Sequence, residues 1–348
     1  MKLQLSQHFR LYKFCRNFIK KPVDFRVIIA SKNACSEHIS KLIAHALALI
    51  TKRIKAYCEA IYRNTGINCC WMIENNIDIL NCLDGLSRTN SARSINTFDF
   101  GQMYTNLKHK DITEQLRKVI KLGYGKSQVM WVDNYRARWT QPANFTKYHR
   151  IHSTKLLEMV EFIVDNTYFQ FGGNVNKQQI GVPMGTSCAP RIADLTLFSY
   201  EFTFMTNHMN KNNLSLCFSL SNCFRYMDDV SGVNDDGKFE SICKDIYPSS
   251  LTLKKVNTQD KSADVLDISV TINDHKFVCK LFDKRAGFPF KCNMFPAIDS
   301  KIAASCKYNT FYSQLFRYFD IISDAKELSS TIQILIDLLT AKGYKNLC

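Results

Sequence analysis

Two adjacent carboxylates, Asp228 and Asp229, stand in the run Phe224-Arg225-Tyr226-Met227-Asp228-Asp229-Val230. Aromatic and β-branched residues flank them, with Asn222 before and Gly232 and Asn234 after, so the stretch reads as a tight β-hairpin whose turn carries both aspartates. Two like charges that close repel unless a cation lies between them, which suits a divalent-metal ligand set; a solvated Asp-Asp turn is the plain alternative. A third carboxylate, Asp99, lies in a strand candidate at residues 95–100, and Tyr104 follows five residues on. A glycine-bearing loop at 181–187 then enters a helix at Ala189-Pro190, where proline suits the first turn. A strand with one carboxylate, then a helix, then a hairpin with a pair builds a sheet that brings Asp99 next to Asp228. Carboxylates from two strands can hold two Mg²⁺ roughly 4 Å apart, the arrangement that stabilises attacking and leaving oxygens in phosphoryl transfer. Asp99 as an ordinary strand-end turn residue is the bland alternative.

The elements that must position these groups follow from period and breakers. Residues 25–30 form a β-branched strand containing Arg26, and residues 36–62 keep helical spacing through Leu42, Ile43, Ala46, Ile50 and Ile54. Residues 1–21 have no clean period and read as a basic arm or a frayed helix. Helices are expected at 78–86, 111–122, 154–164, 189–205 and 239–246, and strands at 251–256, 265–272 and 277–282. A small hairpin starts at 169–173 and returns through 178–180; helices at 311–322 and 327–339 close the chain. Residues 124–145 read as loop, aromatic and basic. There Trp131, Arg136, Arg138 and Trp139 form either a stacking and phosphate surface or a disordered basic loop. With no repeat, low-complexity tract or linker, the parts are expected to pack as one body.

The totals narrow the function. The chain has 348 residues and a formal charge of +15, unevenly spread. Residues 1–65 carry 13 Lys and Arg against 3 acids, and residues 101–150 carry 10 against 3. Residues 224–275 reverse this, with 6 against 10. A basic frame around one acidic patch suits a protein that holds a polyanion and places metals at one point. The 14 cysteines show no CxxC pair and no zinc spacing, so reduced, mostly buried thiols in an intracellular protein are expected. No secretory signal precedes them, and the longest apolar run, residues 42–50, is too short to span a bilayer, so no membrane partner is expected.

The stretches TFDFGQMYTNL, IGVPMGTSCAPRIADL and FRYMDD resemble motifs A, B and C of reverse transcriptases. With Met184 where many reverse transcriptases have glutamine, the second is similar to Penelope-like retroelements; FRVIIAS, NTGINCCWMIEN, VDNTYFQFGG, VLDISV and KLFDKRAGFPF resemble that group in the same order, from about residue 25 onward. The resemblance implies an α/β right-hand polymerase with a ferredoxin-like antiparallel palm sheet. It divides the chain into partial fingers at 1–94, palm at 95–110, second fingers segment at 111–168, palm with a primer-grip-like hairpin at 169–290, and a short helical thumb at 291–348. The implied activity is RNA-directed DNA polymerisation by a retroelement core, with two Mg²⁺ (or Mn²⁺), an RNA template, a DNA primer and deoxynucleoside triphosphates, in a nuclear setting.

Residue by residue, the resemblance makes Asp99 and Asp228 the metal aspartates and Asp229 their supporting neighbour. Tyr104 becomes the aromatic under the incoming sugar that blocks a 2′-hydroxyl, and Phe100 to Tyr104, Gly101 included, the floor of the nucleotide pocket. Gly181, Pro183, Met184 and Gly185 form the loop under template and nucleotide, and Arg26 contacts the triphosphate. Lys254, Lys255 and Lys261 are general-acid candidates, and Lys284 and Arg285 match the primer grip. Ordinary core for Tyr104 and solvated surface for Arg26 and the lysines stay open. Departures are Arg191 and Gly101 at positions where other residues are usual, a shortened amino-terminal fingers strand, and no GIY-YIG endonuclease motif, so a truncated core is expected. An inactive remnant that still binds nucleic acid is the first rival reading. An RNA-templated RNA polymerase is the second, against which Tyr104 argues.

Overall fold

The computed structural model describes residues 10–15, 25–30, 34–171, 173–283 and 295–345. Where the sequence suggested one body, the chain divides into two compact units: Met1–Met72, Phe98–Val230 and Gly237–Lys254 in the first, Ile73–Thr97, Ser231–Asp236 and Lys255–Cys348 in the second.

Strand β1 (Arg10–Cys15) pairs antiparallel with β2 (Phe25–Ala30). The first is a correction to the arm or frayed helix: the run has no period of its own, and β2, far enough along the chain to fold back on it, supplies the strand partner. Helix α1 (Glu37–Thr65) buries Leu42, Ile43, Leu47, Ile50 and Ile54 along one face and ends at Gly66, whose φ of 72° lets its amide reach the Tyr62 carbonyl. Next come α2 (Ile77–Arg88), β3 (Ile95–Gly101), the single turn α3 (Met103–Asn106) and α4 (His109–Tyr124). Helices α1 and α4 approach closely at Gly123, where a Cβ would lie 2.6 Å from Ile50 Cγ2.

Residues 124–145, read from sequence as loop, hold parts of a small sheet: β4 (Met130–Val132), β5 (Ala137–Arg138) and β6 (His149–Ile151), in the order β5-β4-β6. Strands of two or three residues are too short to show a period. After α5 (Ser153–Asp165), the strands β7 (Tyr168–Phe171) and β8 (Asn174–Lys177) form a hairpin. It returns at Asn174 rather than through 178–180, since Phe171 pairs opposite Asn174. These strands complete a sheet of order β2-β1-β7-β8.

Helix α6 (Ala189–Asn210) carries Pro190 in its first turn and is followed by α7 (Leu214–Leu220), which the sequence reading left unassigned. Then come β9 (Cys223–Tyr226), β10 (Asp229–Val233), α8 (Lys238–Ile246) and β11 (Thr252–Lys255). The sheet order β11-β3-β10-β9, with helices after β3 and between β10 and β11, is that of a split βαβ arrangement.

In the second unit the expected strand at 265–272 is two strands, β12 (Ser262–Val265) and β13 (Ile268–Asn273), folded back on each other. Leu266 adopts a φ of 55° at the turn, and the Asp267 carboxylate accepts from Asn76 Nδ2 at 2.7 Å and Arg317 Nε at 2.6 Å. Those two partners lie far away in sequence, so the break was not legible locally. Strand β14 (Lys276–Leu281) pairs with β13 through Asp274 and His275, both at positive φ. Helices α9 (Ala304–Ile321) and α10 (Ala325–Thr340) pack together, the second capped by the Asp324 carboxylate on the Glu327 amide. Six of the described cysteines, Cys58 and Cys188 among them, are buried. No described helix is long and apolar enough to cross a membrane.

Candidate active site

The carboxylate hairpin is tighter than the sequence suggested. Its turn is Met227-Asp228, and Asp229 already opens β10. Met227 sits at a φ of 54°, a left-handed conformation that a long unbranched side chain adopts rarely and at a cost of about 1 kcal/mol or more. What holds it there is close at hand. The Phe100 amide on β3 donates to the Asp228 carbonyl at 3.1 Å, which joins the strand of Asp99 to the turn of Asp228. All three aspartates are half-buried.

Two further stretches close on the same turn. Beyond β3, Gln102 takes a left-handed φ of 58° and starts α3, whose Tyr104 hydroxyl lies 3.9 Å from Met227 Sδ. The Tyr104 carbonyl accepts from the Val182 amide at 2.7 Å, and the Gly181 amide donates to the Leu107 carbonyl at 2.8 Å. A Cβ on Gly181 would come within 2.5 Å of the Tyr104 carbonyl oxygen, and its φ is 91°, so only glycine fits there. The loop is tied down at its far end by Pro183, whose carbonyl accepts from the Thr186 hydroxyl at 2.9 Å. Met184 is half-buried between them, and Gly185 is exposed at a φ of 95°. Thus Asp99, Asp228, Tyr104 and Gly181 are brought together by backbone bonds among segments up to 128 residues apart in sequence.

Other candidates are placed differently. The Phe100 ring is buried edge-on against Tyr247 at 4.8 Å and its amide is engaged by Asp228, so it is core rather than pocket floor. A Cβ on Gly101 would meet only ordinary contact, so glycine is not required there. Arg26 lies in β2 opposite Phe14, in a different sheet from β3 and β10. Lys255 Nζ bonds Asp260 at 2.8 Å, whereas Lys254 is exposed on β11 and belongs to the same unit as the aspartates. Lys261 is exposed in the second unit, and Lys284 and Arg285 lie outside the described residues.

Sequence reasoning missed the group beneath the hairpin. Arg225 on β9 is 0% exposed. Its Nε and Nη2 donate to Glu201 at 2.5 and 3.2 Å, and its Nη1 donates to Asp194 Oδ1 at 2.5 Å and to the Met227 carbonyl at 3.2 Å. Tyr247 Oη donates to Glu201 at 2.8 Å. Burial by itself would lower the guanidinium pKa; the charges of Glu201 and Asp194 outweigh it and push it up. Burial, then the charge of Glu201, pushes the Tyr247 phenol well above its ordinary value, so it stays a donor. A buried cation paired on two sides is rigid, and this one grips the carbonyl of the strained turn residue. The signal was present: Asp194 and Glu201 stand seven apart inside the apolar stripe of α6, on one helix face.

The aspartates offer hard oxygen donors, the type Mg²⁺ takes, and one or two carboxylates suffice because water and phosphate complete its shell. Among the described residues no group of three or more His, Cys, Asp or Glu side chains gathers as a metal site.

No protein-family model matches the chain, and no curated protein does. Solved structures do. Telomerase from Candida albicans, in complex with a TWJ fragment of telomeric RNA, aligns with a TM-score of 0.62 at 13% identity, over 97% of this chain and 56% of that one. Apo telomerase from Candida tropicalis aligns at 0.52 and 12% identity over 98% and 59%, and its complex with a TWJ fragment of telomeric RNA at 0.50 and 12% over 96% and 53%. The chain spans a little over half the length of these telomerase chains. At such identities the likeness speaks for the fold alone: this chain has a mixed α/β, reverse-transcriptase-like fold.

Proposed function

We propose that the chain is the core of an RNA-directed DNA polymerase, of the Penelope-like kind by its motif wording, with the β11-β3-β10-β9 sheet in the palm, residues 1–94 and 111–168 as fingers, and 291–348, with α9 and α10, as a short thumb. The observation that carries this reading is the bond from the Phe100 amide to the Asp228 carbonyl, which sets two carboxylate-bearing segments side by side. Asp99 and Asp228 would hold Mg²⁺, with Asp229 in support. When bound, the ions supply positive charge to the phosphoryl oxygens on which negative charge grows. The rest is positioning by the chain itself. Arg225 fixes the turn, Gly181 lets the loop lie against α3, and the Tyr104 ring stands beside Met227, where it would meet the 2′ position of an incoming sugar. RNA as template, a DNA primer and a nuclear setting belong to the same proposal.

The test is primer extension on an RNA template with Mg²⁺. The intact chain should extend the primer with deoxynucleotides. Asp228→Asn should abolish extension while leaving the melting temperature without Mg²⁺ unchanged or slightly raised, since a repulsive charge is lost. Extension by the variant at the rate of the parent would remove the assignment.

A further inference from the structure

The small sheet at 130–151 has two unlike faces. Cross-strand partners share a face, and the pairing sets Trp131 opposite Arg138 on one side and Arg150 on the other. The opposite face carries Met130, Val132 and Ile151, all buried. The row Arg138–Trp131–Arg150 therefore turns outward, with Arg150 exposed and the other two half-buried. Its surroundings hold it in shape. The Phe145 ring meets Trp131 edge-on at 6.2 Å, Arg138 lies 5.3 Å over the Tyr148 ring, and Arg136 Nε donates to the Tyr148 hydroxyl at 3.1 Å. The lone acid between residues 124 and 151, Asp133, accepts the amides of Tyr135 and Arg136 within its own turn, against five Lys and Arg in that stretch.

We infer that this face is a binding site for single-stranded nucleic acid, distinct from the carboxylate hairpin. An indole between two guanidiniums at strand spacing offers one base a stacking surface and the adjoining phosphates two cations. A duplex keeps its bases stacked on each other and cannot use the indole, so the face selects single strands and tolerates any base. Trp139, also a candidate from sequence, does not belong to it: Arg53 lies 3.8 Å over its ring and Tyr124 packs on it at 5.1 Å.

This face shares no residue with the carboxylate hairpin, so its binding can be measured in a chain whose polymerase chemistry is disabled. The intact chain carrying Asp228→Asn is titrated with labelled decamers of uridine and of deoxythymidine, and a 4-thiouridine decamer is cross-linked and mapped. The cross-link should fall within residues 130–150. Trp131→Ala should weaken single-strand binding about tenfold, while Trp131→Phe, which keeps a ring, should restore most of it. Arg138→Gln with Arg150→Gln should flatten the salt dependence by about one and a half in the log–log slope. Melting temperatures verify that the variants fold; the two glutamine changes lie on the outward face and leave the core untouched. An equal loss for RNA and DNA supports reading by base and phosphate, and a larger loss for RNA adds the 2′-hydroxyl. Cross-links confined to other segments would overturn the inference. So would wild-type affinity in both Trp131→Ala and the double glutamine variant, or competition by poly-glutamate as strong as by oligonucleotide. Failure of the parent chain to extend a primer bears on the carboxylate site alone.

Discussion

The turn of the carboxylate hairpin and the outward face of the small sheet both rest on arginine beside aromatic rings, yet the two regions use it in opposite ways. Arg225 is enclosed, bonded to two carboxylates and two backbone carbonyls, and the Tyr247 that shares Glu201 with it is buried too. Arg138 and Arg150 meet solvent, and the nearest aromatic to Arg138 is the Tyr148 ring. Burial decides the difference. An enclosed guanidinium has every donor engaged and can only shape what it touches, while an exposed one keeps donors for a ligand. The first region is where the fold dictates chemistry; the second is where the fold leaves chemistry available.

The largest effect should come from breaking the enclosed cluster. Arg225→Met leaves Glu201 charged and buried without its partner, so urea denaturation should show a loss of about 3–5 kcal/mol. Arg150→Gln should stay within about 0.5 kcal/mol of the parent in the same measurement. Similar losses from both would erase the distinction drawn above.

Tyr104 tests the boundary between the regions, since it is half-buried and touches the strained turn through Met227. Tyr104→Ala should raise ribonucleotide use relative to deoxynucleotide by about tenfold in the ratio of kcat/KM, equivalent to about 1.4 kcal/mol at the transition state. An unchanged ratio would return the ring to the core and favour an RNA over a DNA product.

Salt dependence separates buried from exposed charge directly. If about five phosphates are neutralised, duplex binding should weaken with a log–log slope of roughly −4 to −5. Neutralising Arg225 in a variant that still folds should leave that slope alone, because a caged cation releases no counterion. A slope near zero in the parent would show that the basic residues are not the binding surface.

The smallest expected effect lies in the β4–β5 turn. Burial works against the Asp133 carboxylate, but the amides of Tyr135 and Arg136 outweigh it and hold its pKa below the ordinary 3.8. A lowered pKa stabilises above the unfolded value and is lost as pH falls through the folded one. Acid titration followed by tryptophan emission should therefore show the turn loosening below pH 3.8, and Asp133→Ala should lose that transition.

Helices α1 and α4 were legible because each carries its period along its own length, and Gly66 or Pro190 marks an end by local sterics. The aspartates of the hairpin were legible for the same reason: a turn and two strands are short-range chemistry. The turn was read one residue late, because the left-handed Met227 is stabilised by Arg225 and by β3, not by its neighbours. Short strands β4, β5 and β6 left no period, and the break between β12 and β13 depends on Asn76 and Arg317 reaching Asp267 from elsewhere in the chain. By itself, then, the sequence determined which segments curl or extend and which residues could bind metal or phosphate. Only the tertiary structure decided which charges are enclosed and which face outward, because burial is a property of what packs around a residue and not of the residue's neighbours along the chain.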